Sequence, residues 1–286
     1  SVVGVHGSHH ARRDEHTEIR VPSAVDLVTG RRLPATVAVI LLATVGCSNT
    51  TDTYRPVTAT STDAAHQKPL STELSASNDP VDILLIGDGT GISLGGWVFL
   101  TMQSLAQEYG RPAVIHEWDF AAGAGYLEPP ISVADGIGTP ISLWNASVSR
   151  NVGFLTTALP QIRPPSNIDV VLVNNGLDMG PRTLAAESVP LLRTLAETYS
   201  QAAVLAVLQP APKEPEEVGD QVRANVHDLE VSARKNDFQI IDAAATVDDA
   251  EGTYDADSRY PNSEGSRLWA TAVTDALIDE VEVPAQ

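Results

Sequence analysis

The sequence has one cysteine and few basic residues, and both shortages limit what the protein can be. Because Cys47 stands alone, an intramolecular disulfide and a CxxC metal or redox site are excluded. The chain has 18 Lys and Arg against 37 Asp and Glu, which gives a formal net charge of −19 at pH 7. Such an acidic surface repels a phosphate backbone, so we expect no nucleic-acid partner. Aromatic residues make up only 5%, so aliphatic side chains must build the core.

The chain does have enough length and apolar content for one large domain with a tail. It contains 286 residues, of which 43% are hydrophobic. Residues 1–30 are an irregular polar lead-in without an apolar period. They either precede the natural translation start or are not native to the protein. We therefore leave them out of the predicted fold.

Residues 31–46 have the pattern of an export signal. Arg31 and Arg32 precede an apolar run that is shorter than the roughly 20 residues needed to cross a bilayer, which favours a secretory signal peptide. The ending before Cys47 resembles a bacterial lipoprotein box, although Thr44 stands where that box usually has Leu. The resemblance implies cleavage before Cys47, acylation of its thiol, and anchoring to the outer face of the cytoplasmic membrane in the cell envelope. The alternative is an ordinary signal peptide with an incidental cysteine.

Two segments follow the predicted signal. Residues 47–79 are rich in Ser, Thr, Asp and Ala, which is typical of a flexible tether. From residue 80 to 286, short apolar runs alternate with helical patterns. The runs predict five parallel strands at 81–86, 113–115, 170–173, 203–208 and 238–241, and the helices are predicted at 93–109, 184–199, 216–235 and 264–281. This alternation predicts a three-layer α/β/α domain around a five-stranded parallel sheet, with a site at the carboxyl ends of the strands.

Four sequence blocks, in order along residues 80–286, resemble the SGNH/GDSL-type hydrolases, a flavodoxin-like family of esterases and lipases. They are Gly87-Asp88-Gly89 after the first strand, Trp144-Asn145-Ala146-Ser147, Gly176-Leu177-Asp178, and Asp257-Ser258-Arg259-Tyr260-Pro261-Asn262. The family's last block reads Asp-x-x-His-Pro-Asn, so this match is the most specific. Overall, the chain is most similar to the envelope branch that acts on acyl groups of surface polysaccharides.

The resemblance fails at nearly every reacting position. The family's serine nucleophile corresponds to Gly89, its second-block glycine to Ser147, its oxyanion-binding asparagine to Asp178 and its histidine base to Tyr260; only Asp257 matches. Glycine offers no nucleophile, and a tyrosine side chain has an ordinary pKa of about 10, which makes it a poor base at neutral pH. An ionised aspartate would face the developing oxyanion as an acceptor. The sequence therefore predicts that no catalytic site is intact.

Other polar residues are predicted near the cleft, and they leave alternatives open: Asp88, Thr90, Ser93, His116, Asn145 and Asn175. Thr90 or Ser93 with His116 would rebuild a nucleophile and base, but capping of the turn is the preferred interpretation. Asp88, Asp178 and Asp257 would suit acid–base chemistry or a hard metal ion, yet local hydrogen bonding is again preferred. We expect no metal and no cofactor.

Three hypotheses for function follow. The first is a non-catalytic lipoprotein that binds an envelope glycan, an acylated polymer or a protein, in a cleft formed by Asp88, Asp178, Tyr260 and either Trp97 or Trp144. Below it we rank a structural or assembly lipoprotein, and then an active esterase with a rearranged site. The fold alone does not decide between them.

Overall fold

The computed structural model describes residues 67–284, except 77, 93, 122–124, 214, 249 and 255–258. The predicted signal, Cys47 and the start of the predicted tether lie outside these residues. Within them, no helix is both long and apolar enough to cross a membrane.

A seven-stranded sheet forms the centre of the domain. Its strands are β2 (Val81–Gly87), β3 (Ala113–Glu117), β4 (Ile131–Ala134), β5 (Ile141–Ser147), β6 (Val170–Asn174), β7 (Ala203–Leu208) and β8 (Gln239–Asp242). The strand order is β4-β3-β5-β2-β6-β7-β8, and every pair is parallel except β3 with β4. The predicted α/β class is confirmed, but the sheet has seven strands where the sequence predicted five.

The two strands that were not predicted lack a simple apolar run. β4 is a short edge strand, and its residues are at least partly exposed. β5 is fully buried, but it carries Ser142, Asn145 and Ser147 among its apolar residues. Buried polar side chains are tolerated where they find partners. For example, the Asn145 amide donates to the Gly91 carbonyl at 3.0 Å.

Helices cover both faces of the sheet. The two longest on one face are α2 (Trp97–Tyr109) and α7 (Ser263–Asp279), and the opposite face carries α3 (Val152–Ala158), α4 (Leu184–Thr198) and α5 (Glu216–Lys235). The short α6 (Ala243–Asp248) packs against α7. A strand such as β2, buried along its whole length, requires cover on both sides. The three predicted layers are therefore present.

The folded domain begins earlier than predicted. β1 (Gln67–Pro69) pairs antiparallel with β9 (Glu282–Pro284), and α1 (Leu70–Ser75) follows directly. Leu70 and Leu74 are fully buried against the core. The predicted start at residue 80 is therefore wrong, because these two leucines are spaced one helical turn apart and fill a space beside the sheet.

A buried arginine joins α1 to the sheet. Arg111 is only 1% exposed and precedes β3. Its guanidinium donates to the carbonyls of Glu73, Leu74, Ala76, Asp79 and Thr139, at 2.6–3.2 Å. Several of these carbonyls lie at the end of α1, where a helix has no internal donors for them. Arg111 therefore satisfies the carboxyl end of α1 from within the domain.

Replacing Arg111 should destabilise the protein strongly. We expect Arg111→Met to lower the free energy of unfolding by about 3 kcal/mol or more, because several buried carbonyls lose their donor at once. Urea denaturation measures the change. In the control, Arg234→Met removes an exposed arginine that pairs with Glu230 at 3.1 Å, and it should cost about 0.5 kcal/mol or less. Equal losses in the two variants would contradict the proposed role of Arg111.

Candidate functional site

The carboxyl ends of three neighbouring strands position the candidate site. Gly87 at the end of β2 is in register with Ser147 of β5 on one side and with Asn174 of β6 on the other. The segments that follow these strands therefore emerge side by side, as expected at this edge of a parallel sheet. The segment after β2 forms a 3₁₀ turn, Gly89–Gly91.

Asp88 connects two of these segments. It is 1% exposed, and one carboxylate oxygen accepts from the backbone N–H and the hydroxyl of Thr90, at 3.0 and 2.8 Å. The other oxygen accepts from the N–H groups of Gly176 and Leu177, both at 3.0 Å. Burial raises the pKa of Asp88, while these hydrogen bonds act in the opposite direction. Both oxygens are committed, so Asp88 has the capping role preferred from the sequence.

Thr90 is not available as a nucleophile. Its hydroxyl donates to Asp88 and accepts from the side-chain amide of Asn174 at 2.8 Å. The residue is only 8% exposed. A carboxylate is thus within reach of the hydroxyl, but the oxygen is enclosed in the turn. Ser93 and Asp257 were also predicted as site residues, and both lie outside the described residues.

The structure brings Gly89, Tyr260 and Ser149 together, and the sequence did not single out this serine. A Cβ atom placed on Gly89 would lie 2.3 Å from the Ser149 hydroxyl oxygen and 3.0 Å from the Tyr260 hydroxyl oxygen. Ser149 and Tyr260 are both exposed. Ser149 therefore fills the space that a serine side chain at position 89 would need.

Ser147 lies elsewhere, which corrects its predicted place at the reacting centre. Its hydroxyl oxygen would be 2.6 and 2.2 Å from Cβ atoms on Gly87 and Gly91, so it occupies a gap between two backbones that only glycine leaves open. The hydroxyl is buried and has no hydrogen-bond partner in the described part of the chain. The sequence signal that was missed is the spacing of Ser147 and Ser149, which lie two residues apart at the end of a strand.

Asp178 has a cationic neighbour that the sequence analysis overlooked. A guanidinium nitrogen of Arg259 lies 3.7 Å from a carboxylate oxygen of Asp178. Arg150, on the segment after β5, donates to the Ser149 carbonyl at 3.1 Å. Two arginines thus directly neighbour Ser149 and Tyr260 in sequence, in a chain of strongly negative charge. Arg259 therefore offsets part of the negative charge of Asp178.

Three predicted cleft residues hold the sheet instead of lining an open cleft. Asn145 is 1% exposed, and its amide donates to the Glu117 carboxylate at 3.1 Å in addition to the Gly91 carbonyl. Asn175 is equally buried, and its amide donates to the Ile86 carbonyl at 3.4 Å. His116 lies within β3 and stacks on Trp144 at 3.9 Å between ring centroids.

Most of the residues that the sequence predicted to form the cleft are therefore buried and do not line it. Asp88 is buried and fully bonded, and Trp97 is 3% exposed and stacks on Trp269 at 4.9 Å. Trp144 is 7% exposed, and its indole N–H donates to Asp82 at 2.7 Å. Trp97 and Trp144 pack in the hydrophobic layers between the sheet and the helices on its two faces. In the described ranges, no group of three or more His, Cys, Asp or Glu residues could hold a metal ion.

The placement of His116 makes a pH dependence testable. Burial lowers the pKa of His116 from its ordinary value of 6.5, and the nearby charges of Glu128 and Asp82 oppose the shift only in part. The unfolded chain therefore binds this proton more readily than the folded one. The contribution of His116 to stability is complete above the ordinary value and is lost as the pH falls through the lowered one.

Urea midpoints measured between about pH 5 and pH 8 should show this loss, since histidine is the side chain that titrates there. We expect His116→Gln to flatten the dependence relative to the wild type. His227→Gln, which changes an exposed histidine on α5, should leave it unchanged. If His116→Gln kept the wild-type slope, the argument from burial would be refuted.

Comparison with known proteins supports the fold through structure alone. No protein-family profile and no curated protein matches this sequence. Among solved structures, a lipase/acylhydrolase from Enterococcus faecalis is similar with a TM-score of 0.51 and 14% identity, over 72% of this chain and 99% of that one. A protein described as a GDSL-like lipase from Parabacteroides merdae has a TM-score of 0.51 and 14% identity, over 70% of this chain and 96% of that one.

These similarities extend over nearly the whole length of both solved proteins, and the described strands and helices of this chain account for the shared architecture. At 14% identity they establish the fold and not the activity. The mostly parallel sheet with helices on both faces agrees with them. The chain has the fold of the SGNH/GDSL-type hydrolases.

Proposed function

We propose that this protein is a non-catalytic SGNH-fold lipoprotein that binds a glycan or an acylated polymer of the bacterial cell envelope. The observation that supports this most is the environment of Gly89. No side chain projects from the position of the family's nucleophile, and the Ser149 hydroxyl fills the space next to it. The position of the family's base holds Tyr260, and a phenol is a weak base at neutral pH.

The surroundings of Gly89 favour binding over acyl transfer. Acyl transfer needs a nucleophile, a base and preorganised donors that face the developing oxyanion. Here the oxyanion position holds Asp178, whose carboxylate pairs with Arg259. Two hydroxyls and two guanidinium groups remain exposed or partly exposed at the same edge, from Ser149, Tyr260, Arg150 and Arg259. Such groups suit hydrogen bonding to a polar polymer.

A second candidate is an esterase with a rearranged site, and one observation favours it. Ser149 and Tyr260 both lie within 3.0 Å of a single point at Gly89. In this scheme Ser149 attacks the ester carbonyl, its proton passes to the Tyr260 phenolate, and the alcohol leaves after taking that proton. Water then hydrolyses the acyl-serine, which releases the acid and restores the Ser149 hydroxyl. The scheme requires Tyr260 to be ionised before attack, which is why we place it second.

A restored variant tests the two candidates against each other. It carries Gly89→Ser, Ser149→Gly, Asp178→Asn and Tyr260→His; the second change makes room for the new side chain. We expect the wild type to leave p-nitrophenyl acetate unhydrolysed. The restored variant should exceed it by roughly 10²-fold or more, the lower end of what a positioned acid–base group contributes.

The matched control has Gly89→Ala in place of Gly89→Ser, and it should stay at background because it lacks only the nucleophile. Hydrolysis by the wild type that disappears in both Ser149→Ala and Tyr260→Phe would instead establish the rearranged esterase. A restored variant that folds but stays inactive would show that the equivalence of these positions with the family's site is wrong.

The lipid anchor is tested separately at Cys47. We expect the wild type, produced in a bacterium that processes lipoproteins, to enter the detergent phase on partitioning and to incorporate labelled fatty acid. Cys47→Ala should remain in the aqueous phase, because the thiol that carries the lipid is gone. An aqueous, unlabelled wild type would rule out the anchor and leave the ordinary signal peptide.

A further inference from the structure

The scarce aromatic residues of the chain are concentrated beside β3 and β5. Aromatic residues make up 5% of the sequence, yet five of them form one connected cluster: Trp118, Phe120, Tyr126, Trp144 and Phe154. Trp144 is buried, and the other four are at least partly exposed. The core is thus mainly aliphatic, whereas these aromatic side chains lie together at one part of the surface.

The rings of this cluster hold one another in place. Tyr126 meets Trp144 edge to face at 4.9 Å and Trp118 edge to face at 5.0 Å. Trp144 is itself fixed by His116, which stacks on it. Edge-to-face pairs are the preferred geometry of aromatic contacts. The result is a preorganised surface, which lowers the entropy cost of binding.

A groove of about 480 Å³ runs over this surface. Its volume is within the range of about 300–1,000 Å³ that is usual for small-ligand sites. We call it the aromatic groove, and its lining residues are Trp118, Gly125, Tyr126, Glu128, Trp144, Gln161, Arg163 and Pro165. It shares no residue with the site around Gly89.

Three exposed polar side chains border the aromatic groove, namely Glu128, Gln161 and Arg163. None of them has a hydrogen-bond partner among the residues that the structure describes. Together they offer a carboxylate acceptor, an amide that both donates and accepts, and a guanidinium with several donors. Their hydrogen-bonding capacity is therefore available to a ligand.

This combination matches the chemistry of a sugar ring. A pyranose presents a face of C–H groups, which packs on an aromatic surface, and a rim of hydroxyls, which need both donors and acceptors. The charges of Glu128 and Arg163 offset each other, and the net charge of −19 disfavours a polyanion. An acyl chain would use the aromatic surface but would leave the three polar side chains without partners.

We infer that the aromatic groove binds a neutral oligosaccharide, with one ring seated on Trp118 and Tyr126 and its hydroxyls bonded to Glu128, Gln161 and Arg163. The inference rests on the proposed function for the class of ligand. It adds a binding site that shares no residue with the surroundings of Gly89.

The test measures binding of chitotetraose, cellotetraose and mannotetraose to the full chain by calorimetry, with decanoate as an acyl probe. We expect at least one tetrasaccharide to bind and decanoate not to bind. Trp118→Ala should weaken binding by roughly tenfold or more, as expected for a tryptophan at the centre of a contact. Because Trp118 also supports its neighbours, Gln161→Ala serves as a second variant: it is exposed, it should fold normally, and it should also weaken binding.

His227→Gln, the matched control at an exposed residue of α5 that belongs to neither surface, should bind the sugar as the wild type does. If Ser149→Ala and Tyr260→Phe lost binding while Trp118→Ala and Gln161→Ala kept it, the groove would be the wrong place and the proposed function would stand. Binding of decanoate alone, or of none of the probes, would overturn the inference. Ester hydrolysis by a wild type that still bound sugar in the groove would overturn only the non-catalytic assignment.

Discussion

The buried carboxylate of Asp88 is the contact on which the geometry of the site depends. One of its oxygens holds the turn after β2 through Thr90, and the other holds the segment after β6 through Gly176 and Leu177. A carboxylate without these donors would be costly at 1% exposure. The hydrogen bonds therefore fix two segments relative to each other, and with them the position of Gly89.

Two positions near Asp88 depart from the family's pattern, and each has a neighbouring residue that compensates for the departure. The missing side chain at Gly89 is matched by Ser149, whose hydroxyl fills the space. The carboxylate at Asp178 is matched by Arg259. Such paired features explain why a single reversion at Gly89 would meet an obstacle, since its new Cβ would lie 2.3 Å from the Ser149 oxygen. The site is thus consistently built around its present residues.

The two candidate binding surfaces differ in their physical character. The edge around Gly89 offers the hydroxyls of Ser149 and Tyr260 and the guanidinium groups of Arg150 and Arg259. The aromatic groove offers ring faces with a polar border. A polymer with repeating polar rings would use the second through stacking and the first through hydrogen bonds. The two surfaces differ because several of the few aromatic residues in this mainly aliphatic domain lie at the groove.

The sequence alone determined the fold class, because buried parallel strands appear as apolar runs and helices as a repeat of three to four residues. It also determined which chemical groups are absent from the motifs, since a glycine at position 89 cannot supply a nucleophile. It could not reveal β5, where the buried Asn145 finds its partners Gly91 and Glu117 only in three dimensions, nor the role of α1 in the core. Ser149, Arg259 and the aromatic groove depend on which loops meet at an edge of the sheet. Only the tertiary structure decided these, because contacts between residues distant in the chain leave no local pattern.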